Sequence, residues 1–153
     1  MTLSELLEPE LILTKVACAS KDELISTLLG KLYSAGKNLP VSQKELLHTV
    51  HKREQIGGTV LPSGLSVPHA RIEDFEDFIL VLGIPVEPLP HDGFQIKMMS
   101  LMVSNLSGGL YYLPSLAALT KISRDTELFS LLCGAENPEI FIRLIKDRDS
   151  ELA

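Results

Sequence analysis

The spacing of apolar and polar residues predicts an amphipathic helix near the start of the chain. It opens with a serine–glutamate capping box, Ser20 and Glu23, and Gly36 can close it. Its apolar residues recur at intervals of three and four, as they do on one helical face: Leu24, Ile25, Leu28, Leu29 and Leu32. We therefore expect this face to pack against the core.

A second helix has the same opening, with a capping box at Ser42 and Glu45. Its apolar face consists of Leu46, Leu47 and Val50. It is predicted to run to about Arg53 and to end by Gly57-Gly58, because paired glycines destabilise a helix and permit turn conformations.

The middle of the chain changes to the pattern of strands. Residues 59–61 and 65–67 are short candidate strands joined by a Pro-Ser-Gly turn. Residues 78–84 and 96–104 are continuous apolar runs, which predict strands buried on both faces. Met98, Met99 and Met102 in the second run are expected to pack in the core.

Three further helices are predicted in the last third. The first carries Leu113, Leu116, Ala117 and Thr120 on one face. The second has Asp125 as its N-cap, and the third begins at Asn137 with Pro138 in its first turn. Helices on both sides of a central set of strands predict one α/β (α+β) layered domain over residues 1–153.

Composition narrows the classes of function. The chain of 153 residues has 45 % hydrophobic and 22 % charged residues and a net charge of -6, which favours a folded protein without general attraction to nucleic acid. The densest apolar run, residues 78–86, is too short to span a membrane, and the N-terminus does not resemble a secretory signal. Cys18 and Cys133 show no metal-binding spacing and are interpreted as buried thiols in a reducing compartment. We expect a cytoplasmic protein that does not insert into a membrane.

Candidate chemistry is concentrated in residues 53–71, REQIGGTVLPSGLSVPHAR. Arg53 ends a helix, the glycine pair frees backbone N–H groups, and Thr59 offers a hydroxyl. His69 follows the rigid Pro68, with Arg71 two residues later. Backbone N–H groups, hydroxyls and guanidinium groups are what a phosphoryl group requires, and a neutral imidazole is a suitable nucleophile for holding it temporarily.

Each of these charged residues also has a simpler interpretation. Arg53 can contact phosphate or be a favourable cation at a helix C-terminus, and Arg71 can contact phosphate or be a solvated surface charge. Glu54 is expected to pair with a neighbouring cation rather than to act as a base. His48 and His51 are compatible with a metal-dependent hydrolase together with His69, but no carboxylate or cysteine at ligand spacing accompanies them, and we expect no metal site.

The order and spacing of this segment resemble the active-site signature of type-2 enzyme IIA, the fructose/mannitol and nitrogen-regulatory branch of the bacterial sugar phosphotransferase system. The matching residues are Arg53-Glu54, Gly57-Gly58-Thr59, Gly64 and Ser66-Val67-Pro68-His69-Ala70-Arg71. The resemblance implies a mixed β-sheet flanked by helices, in a sandwich like that of the family. It also implies a relay from an HPr-type donor to His69 and on to a cysteine of an enzyme IIB domain, without a cofactor.

The chain departs from the family pattern at two places. The glycine-containing turn of the family is here Thr59-Val60-Leu61-Pro62, and Tyr112 stands where the family usually places a second histidine. The hydroxyl of Tyr112 can donate a hydrogen bond to a ring nitrogen or a phosphate oxygen, but tyrosine cannot become cationic. These departures, and the expectation that no IIB or membrane IIC domain is fused to the chain, favour as an alternative a nitrogen-regulatory-type protein that controls partners through its phosphorylation state.

Overall fold

The computed structural model describes residues 2–152, in which helices precede and follow a central sheet. The helices are α1 (Leu3–Leu6), a 3₁₀ turn (Pro9–Leu11), α2 (Lys21–Ser34), α3 (Gln43–Ile56), α4 (Tyr112–Arg124), α5 (Thr126–Cys133), α6 (Pro138–Lys146) and α7 (Asp149–Leu152). The predicted caps are present: the side chains of Ser20, Ser42, Asp125 and Asn137 each accept a hydrogen bond from a backbone N–H in the first turn.

The strands form a mixed five-stranded sheet and a separate hairpin. They are β1 (Ile12–Val16), β2 (Leu65–Ser66), β3 (His69–Arg71), β4 (Ile79–Pro85), β5 (Leu89–His91), β6 (Phe94–Ile96) and β7 (Met98–Ser104). In the main sheet β1 pairs in parallel with β4, and β4 pairs antiparallel with β7. β2 and β3 both pair in parallel with the other edge of β7, and β5 and β6 form the hairpin.

β2 and β3 are two pieces of one edge strand, separated at Pro68. Leu65 pairs with Met98 and His69 with Met102, so the register on β7 is the same before and after the interruption. Proline has no N–H to donate and is therefore confined to edge strands, although the carbonyl of Pro68 still accepts from the N–H of Met102 at 3.0 Å. This break places His69 at the start of a new strand.

Each face of the sheet has its own hydrophobic core. Leu80, Leu82 and Met102 face α4, α5 and α6 on one side. The alternate residues of the same strands, including Val81 and Leu101, point to the other side and face α2 and α3. At Gly83 on β4 a Cβ atom would lie 2.6 Å from Cδ2 of Leu28, so the glycine allows α2 to approach the sheet closely.

Two of the predicted strand regions differ from the structure, and the pairing of the strands gives the reason. Residues 59–61 form a single antiparallel bridge, between Val60 and Ser66, rather than a strand. The run 96–104 is divided, because residues 94–96 turn back to pair with 89–91 and only β7 enters the main sheet. The sequence analysis did not predict β1, which lies at the other edge of the main sheet.

The buried face predicted for α4 is wrong. Leu113 is 69 % exposed, whereas Ser115, Ala118, Leu119 and Ile122 are buried. Ser115 and Ala118 line a cavity together with Leu3 and Leu6 of α1, so this side of the helix faces the N-terminal segment, which the apolar pattern alone cannot show. Cys18 and Cys133 are free thiols of intermediate exposure, not fully buried. None of the helices among residues 2–152 combines the length and apolarity needed to cross a membrane.

Candidate functional site

His69 is a buried side chain at the edge of the main sheet, with 6 % of its surface exposed. It is the first residue of β3 and lies opposite Met102 of β7. Arg71 and Ser104 are two residues further along these paired strands, so all three polar side chains lie on the same face.

Two neighbours fix the imidazole of His69. Its Nε2 lies 2.7 Å from Oγ of Ser104, which in turn donates to the carbonyl oxygen of Asn105 at 3.0 Å. The ring of Tyr112 stacks on the imidazole, with a centroid distance of 3.7 Å and an interplanar angle of 14°. Cζ of Arg71 lies 6.0 Å from the centroid of the same Tyr112 ring.

These surroundings keep His69 neutral at physiological pH. Burial lowers the pKa of His69 from 6.5 to about 4, and the positive charges of Arg71 and Arg53 act in the same direction. A neutral imidazole keeps a lone pair on one ring nitrogen, so the ring is a nucleophile without first losing a proton.

A cavity of about 310 Å³ lies between His69 and the second half of α3. It is lined by Thr49, Lys52, Arg53, Ile56, His69 and Arg71. The lining contains three cations and no carboxylate, and none of these cations makes a salt bridge to a carboxylate within residues 2–152. Such a cavity can hold an anionic group against the imidazole.

The structure brings together four of the five residues proposed from the sequence. His69, Arg53 and Arg71 line the cavity, and Tyr112 covers the ring. Arg53 also donates to the carbonyl oxygen of Gly57 at 3.3 Å, so its guanidinium caps α3 as well as lining the cavity.

Thr59 is held beside the site rather than in the cavity lining. Its hydroxyl donates to Oε1 of Glu54 at 2.8 Å, and the same carboxylate forms a buried ion pair with Lys21. The expectation that Glu54 pairs with a cation is therefore confirmed. The buried cluster Lys21–Glu54–Thr59 connects α2, the end of α3 and the loop that leads to β2.

Sequence reasoning missed Lys52 and Ser104. Lys52 belongs to the series Thr49, Lys52, Arg53 and Ile56, whose spacing of three and four places them on one face of α3. This periodicity could have placed Lys52 in the site from the sequence alone. Ser104 could not be predicted in this way, because it is 35 residues from His69 and reaches it only through the pairing of β3 with β7.

The candidate metal ligands are not gathered in one place. His51 Nδ1 lies 3.7 Å from Oδ1 of Asp22, and His69 is on the sheet. Among residues 2–152 there is no group of three or more His, Cys, Asp or Glu side chains placed to hold a metal ion.

This combination of a mixed sheet between helices and a histidine in a cationic cavity is that of a phosphotransfer domain. The family model for the phosphoenolpyruvate-dependent sugar phosphotransferase system, EIIA 2, matches residues 5–148. The chain belongs to this family, as the resemblance of residues 53–71 indicated.

Similarity to individual relatives is distant but covers nearly the whole chain. The 2-O-alpha-mannosyl-D-glycerate-specific EIIABC component of Escherichia coli is 25 % identical over 97 % of this chain, which spans only 23 % of that protein's length. A nitrogen regulatory protein of Bradyrhizobium diazoefficiens is 23 % identical over 91 % of both chains. The fold is that of enzyme IIAMTL in its complex with phosphorylated enzyme IIBMTL from Escherichia coli, with a TM-score of 0.73 at 16 % identity, over 93 % of this chain and 98 % of that chain.

Proposed function

We propose that this chain is a phosphocarrier that accepts a phosphoryl group from an HPr-type donor on His69 and passes it to a cysteine of an enzyme IIB partner for sugar uptake. The observation that carries the proposal is the neutral, immobilised imidazole of His69 at the wall of a cavity with three cations. We further propose that residues 1–153 form one such domain and that it acts in the cytoplasm.

The transfer balances without a further reactant. A lone pair of the His69 imidazole attacks the phosphorus of the donor's phosphohistidine, the new N–P bond forms, and the old N–P bond breaks with its electron pair returning to the donor ring. In the second step the thiolate of the acceptor attacks the same phosphorus, and the electron pair of the N–P bond returns to His69. Lys52, Arg53 and Arg71 offset the charge of the phosphoryl oxygens throughout.

The surface around His69 supports transfer between proteins rather than to a small molecule. Ile56 lines the cavity and is 80 % exposed. Leu106 and Leu110, in the loop between β7 and α4, and Leu113, next to Tyr112, are also exposed apolar side chains. Exposed leucines and isoleucine on both elements that flank the site are typical of a protein-docking surface.

Phosphorylation with purified components tests the proposal. The wild type is incubated with enzyme I, HPr and labelled phosphoenolpyruvate, beside His69→Ala and the control His91→Ala, which removes a histidine at the end of β5 outside the site. We expect acid-labile label on the wild type and on His91→Ala, and none on His69→Ala. Label that persists on His69→Ala, or no label on any of the three, refutes the proposal.

The relationship to a nitrogen regulatory protein favours a second candidate, control of partner proteins by the phosphorylation state of His69. Capture experiments with the phosphorylated wild type and with His69→Ala distinguish the two functions. A partner that binds only one of the two forms, with no onward transfer, supports the regulatory role. Rapid transfer to an IIB cysteine supports sugar uptake.

A further inference from the structure

A second cavity, of about 490 Å³, lies beside the beginning of β7. Its walls come from the end of β4, the loop after β4, the junction of α4 and α5, and the turn before β2. Its lining residues are all different from those of the cavity at His69. Lys97 in its lining precedes Met102, the residue that pairs with His69, by five positions, which is roughly 16 Å along an extended strand. The two cavities are therefore separate places on the molecule.

Among residues 2–152, this second cavity is lined by two charged side chains, and both are cations. They are Lys97, just before β7, and Arg124, at the end of α4. Neither makes a salt bridge to a carboxylate within residues 2–152. Asp125 follows Arg124 in the chain, but its carboxylate accepts hydrogen bonds from the N–H of Leu128 and from the guanidinium of Arg148. An anion that enters the cavity therefore meets two cations that no lining carboxylate neutralises.

The turn before β2 holds Lys97 in place. The N–H of Lys97 donates to the carbonyl oxygen of Gly64 at 2.7 Å, and the thiol of Cys133 donates to the carbonyl oxygen of Lys97 at 3.5 Å. A Cβ atom at Gly64, whose φ is 103°, would lie 2.9 Å from Cδ of Lys97, so the glycine allows the lysine stem to lie directly on the turn. A side chain that is already held loses less conformational freedom when its charged end binds a ligand.

The remainder of the lining combines apolar side chains with hydroxyl groups. Ile84 and Phe129 are buried and present an apolar surface to the cavity. Ser63 donates to Oγ of Ser123 at 2.9 Å, and Ser123 donates to the carbonyl oxygen of Thr120 at 2.9 Å, which joins the turn before β2 to α4. A largely apolar concave surface with a few polar groups, in this range of volume, is typical of sites for small organic molecules.

We propose that this cavity binds a small organic anion, a molecule with a carboxylate at one end and an apolar body. The carboxylate lies between Lys97 and Arg124, whose guanidinium can donate two parallel hydrogen bonds to it. The apolar body packs against Ile84 and Phe129. A free sugar does not suit this surface, because the apolar side chains would leave sugar hydroxyl groups without hydrogen-bond partners.

Titration with three carboxylates tests the proposal. ¹⁵N–¹H correlation spectra of the wild type are recorded with 3-phenylpropionate, indole-3-acetate and octanoate, with the neutral amide of each, and with acetate. We expect at least one of the three carboxylates to give saturable shifts at residues that line the second cavity, at lower concentration than its amide or acetate. Shifts from none of the three, shifts confined to the His69 cavity, or equal affinity for the amide or for acetate overturn the proposal.

Substitutions in the lining locate the binding. Lys97→Gln and Arg124→Gln remove exposed cations and should raise the Kd of the tightest carboxylate about fivefold and about tenfold, respectively. Lys44→Gln makes the same change of net charge on α3 and should leave the Kd unchanged. Ser130→Phe places a ring at an exposed position of the lining and should abolish binding without disturbing the core. A wild-type Kd in both Lys97→Gln and Arg124→Gln overturns the proposal.

Failure of this proposal can be told apart from failure of the proposed function. His69→Ala should bind the carboxylate with the wild-type Kd, because His69 lines the other cavity. Loss of binding in His69→Ala would place the carboxylate at the phosphotransfer site and overturn the proposal. A wild type that takes no phosphate from HPr refutes the phosphocarrier role and leaves the carboxylate titration as the test of the second cavity.

Discussion

The phenol ring of Tyr112 lies flat on the imidazole of His69, with centroids 3.7 Å apart. The two residues are 43 positions apart in the sequence and meet because α4 begins beside the edge strand that carries His69. Tyr112 thus acts on His69 through its ring face, and its hydroxyl makes no hydrogen bond to His69. The contact orients the imidazole and shields it from water.

Substitution of Tyr112 should separate the role of the ring from that of the hydroxyl. Tyr112→Phe keeps the stack, so we expect phosphorylation close to that of the wild type. Tyr112→Ala should raise the pKa of His69 from about 4 towards 6.5 by exposing the ring, and should cost about 2 kcal/mol of stability. Histidine titration by NMR and urea unfolding measure these effects. A loss of transfer in Tyr112→Phe equal to that in Tyr112→Ala would assign the function to the hydroxyl instead.

The low pKa of His69 should make stability depend on pH in a defined range. With a pKa of about 4 in the folded state and 6.5 in the unfolded state, the unfolded chain binds more protons between these values. Stability should therefore fall as the pH is lowered from about 6.5 to 4, with a contribution from His69 on the order of 2 kcal/mol. His69→Gln cannot bind this proton. The difference in stability between the wild type and His69→Gln therefore separates the contribution of His69 from that of the carboxylates. Parallel unfolding curves for wild type and His69→Gln across this range would contradict the prediction.

Lys52 should contribute to phosphorylation through its charge alone. Lys52→Gln removes one of three cations from the cavity and should lower the initial rate about fivefold, since one charge at short range in a solvated site is worth about 1 kcal/mol. Lys44→Gln makes the same change of net charge at the other end of α3 and should leave the rate unchanged. Equal effects of the two substitutions would indicate general attraction of the donor rather than a contact in the cavity.

Removing the charge of only one member of the Lys21–Glu54 ion pair should lower the free energy of unfolding. Both side chains are only 8 % exposed, so Glu54→Gln leaves an ammonium buried without its counter-charge. We expect a loss of about 3 kcal/mol in urea unfolding, and a partial recovery in the double variant Lys21→Met/Glu54→Gln. The exposed pair Lys15–Glu136 is the control, and Glu136→Gln should change stability by less than about 0.5 kcal/mol. A small effect of Glu54→Gln would mean that water reaches the Lys21 ammonium.

Much of the fold and part of the site followed from local sequence. Helix starts at Ser20, Ser42, Asp125 and Asn137 were predictable because a cap needs only a side chain and the N–H groups of the next turn. The buried strands were predictable from their continuous apolar runs. The errors in α4 and in residues 59–61 arose where contacts with a distant segment and strand pairing, not local pattern, decide the outcome.

The sequence by itself was sufficient to predict the type of chemistry that we propose, because a histidine after a rigid proline, a flanking arginine on each side and a glycine turn are local features. The tertiary structure decided how that histidine is held. The parallel pairing of β3 with β7 brings Ser104 to Nε2, and the start of α4 places Tyr112 on the ring. These contacts join residues more than 30 positions apart. Only the register of the sheet and the packing of a helix against its edge can specify them.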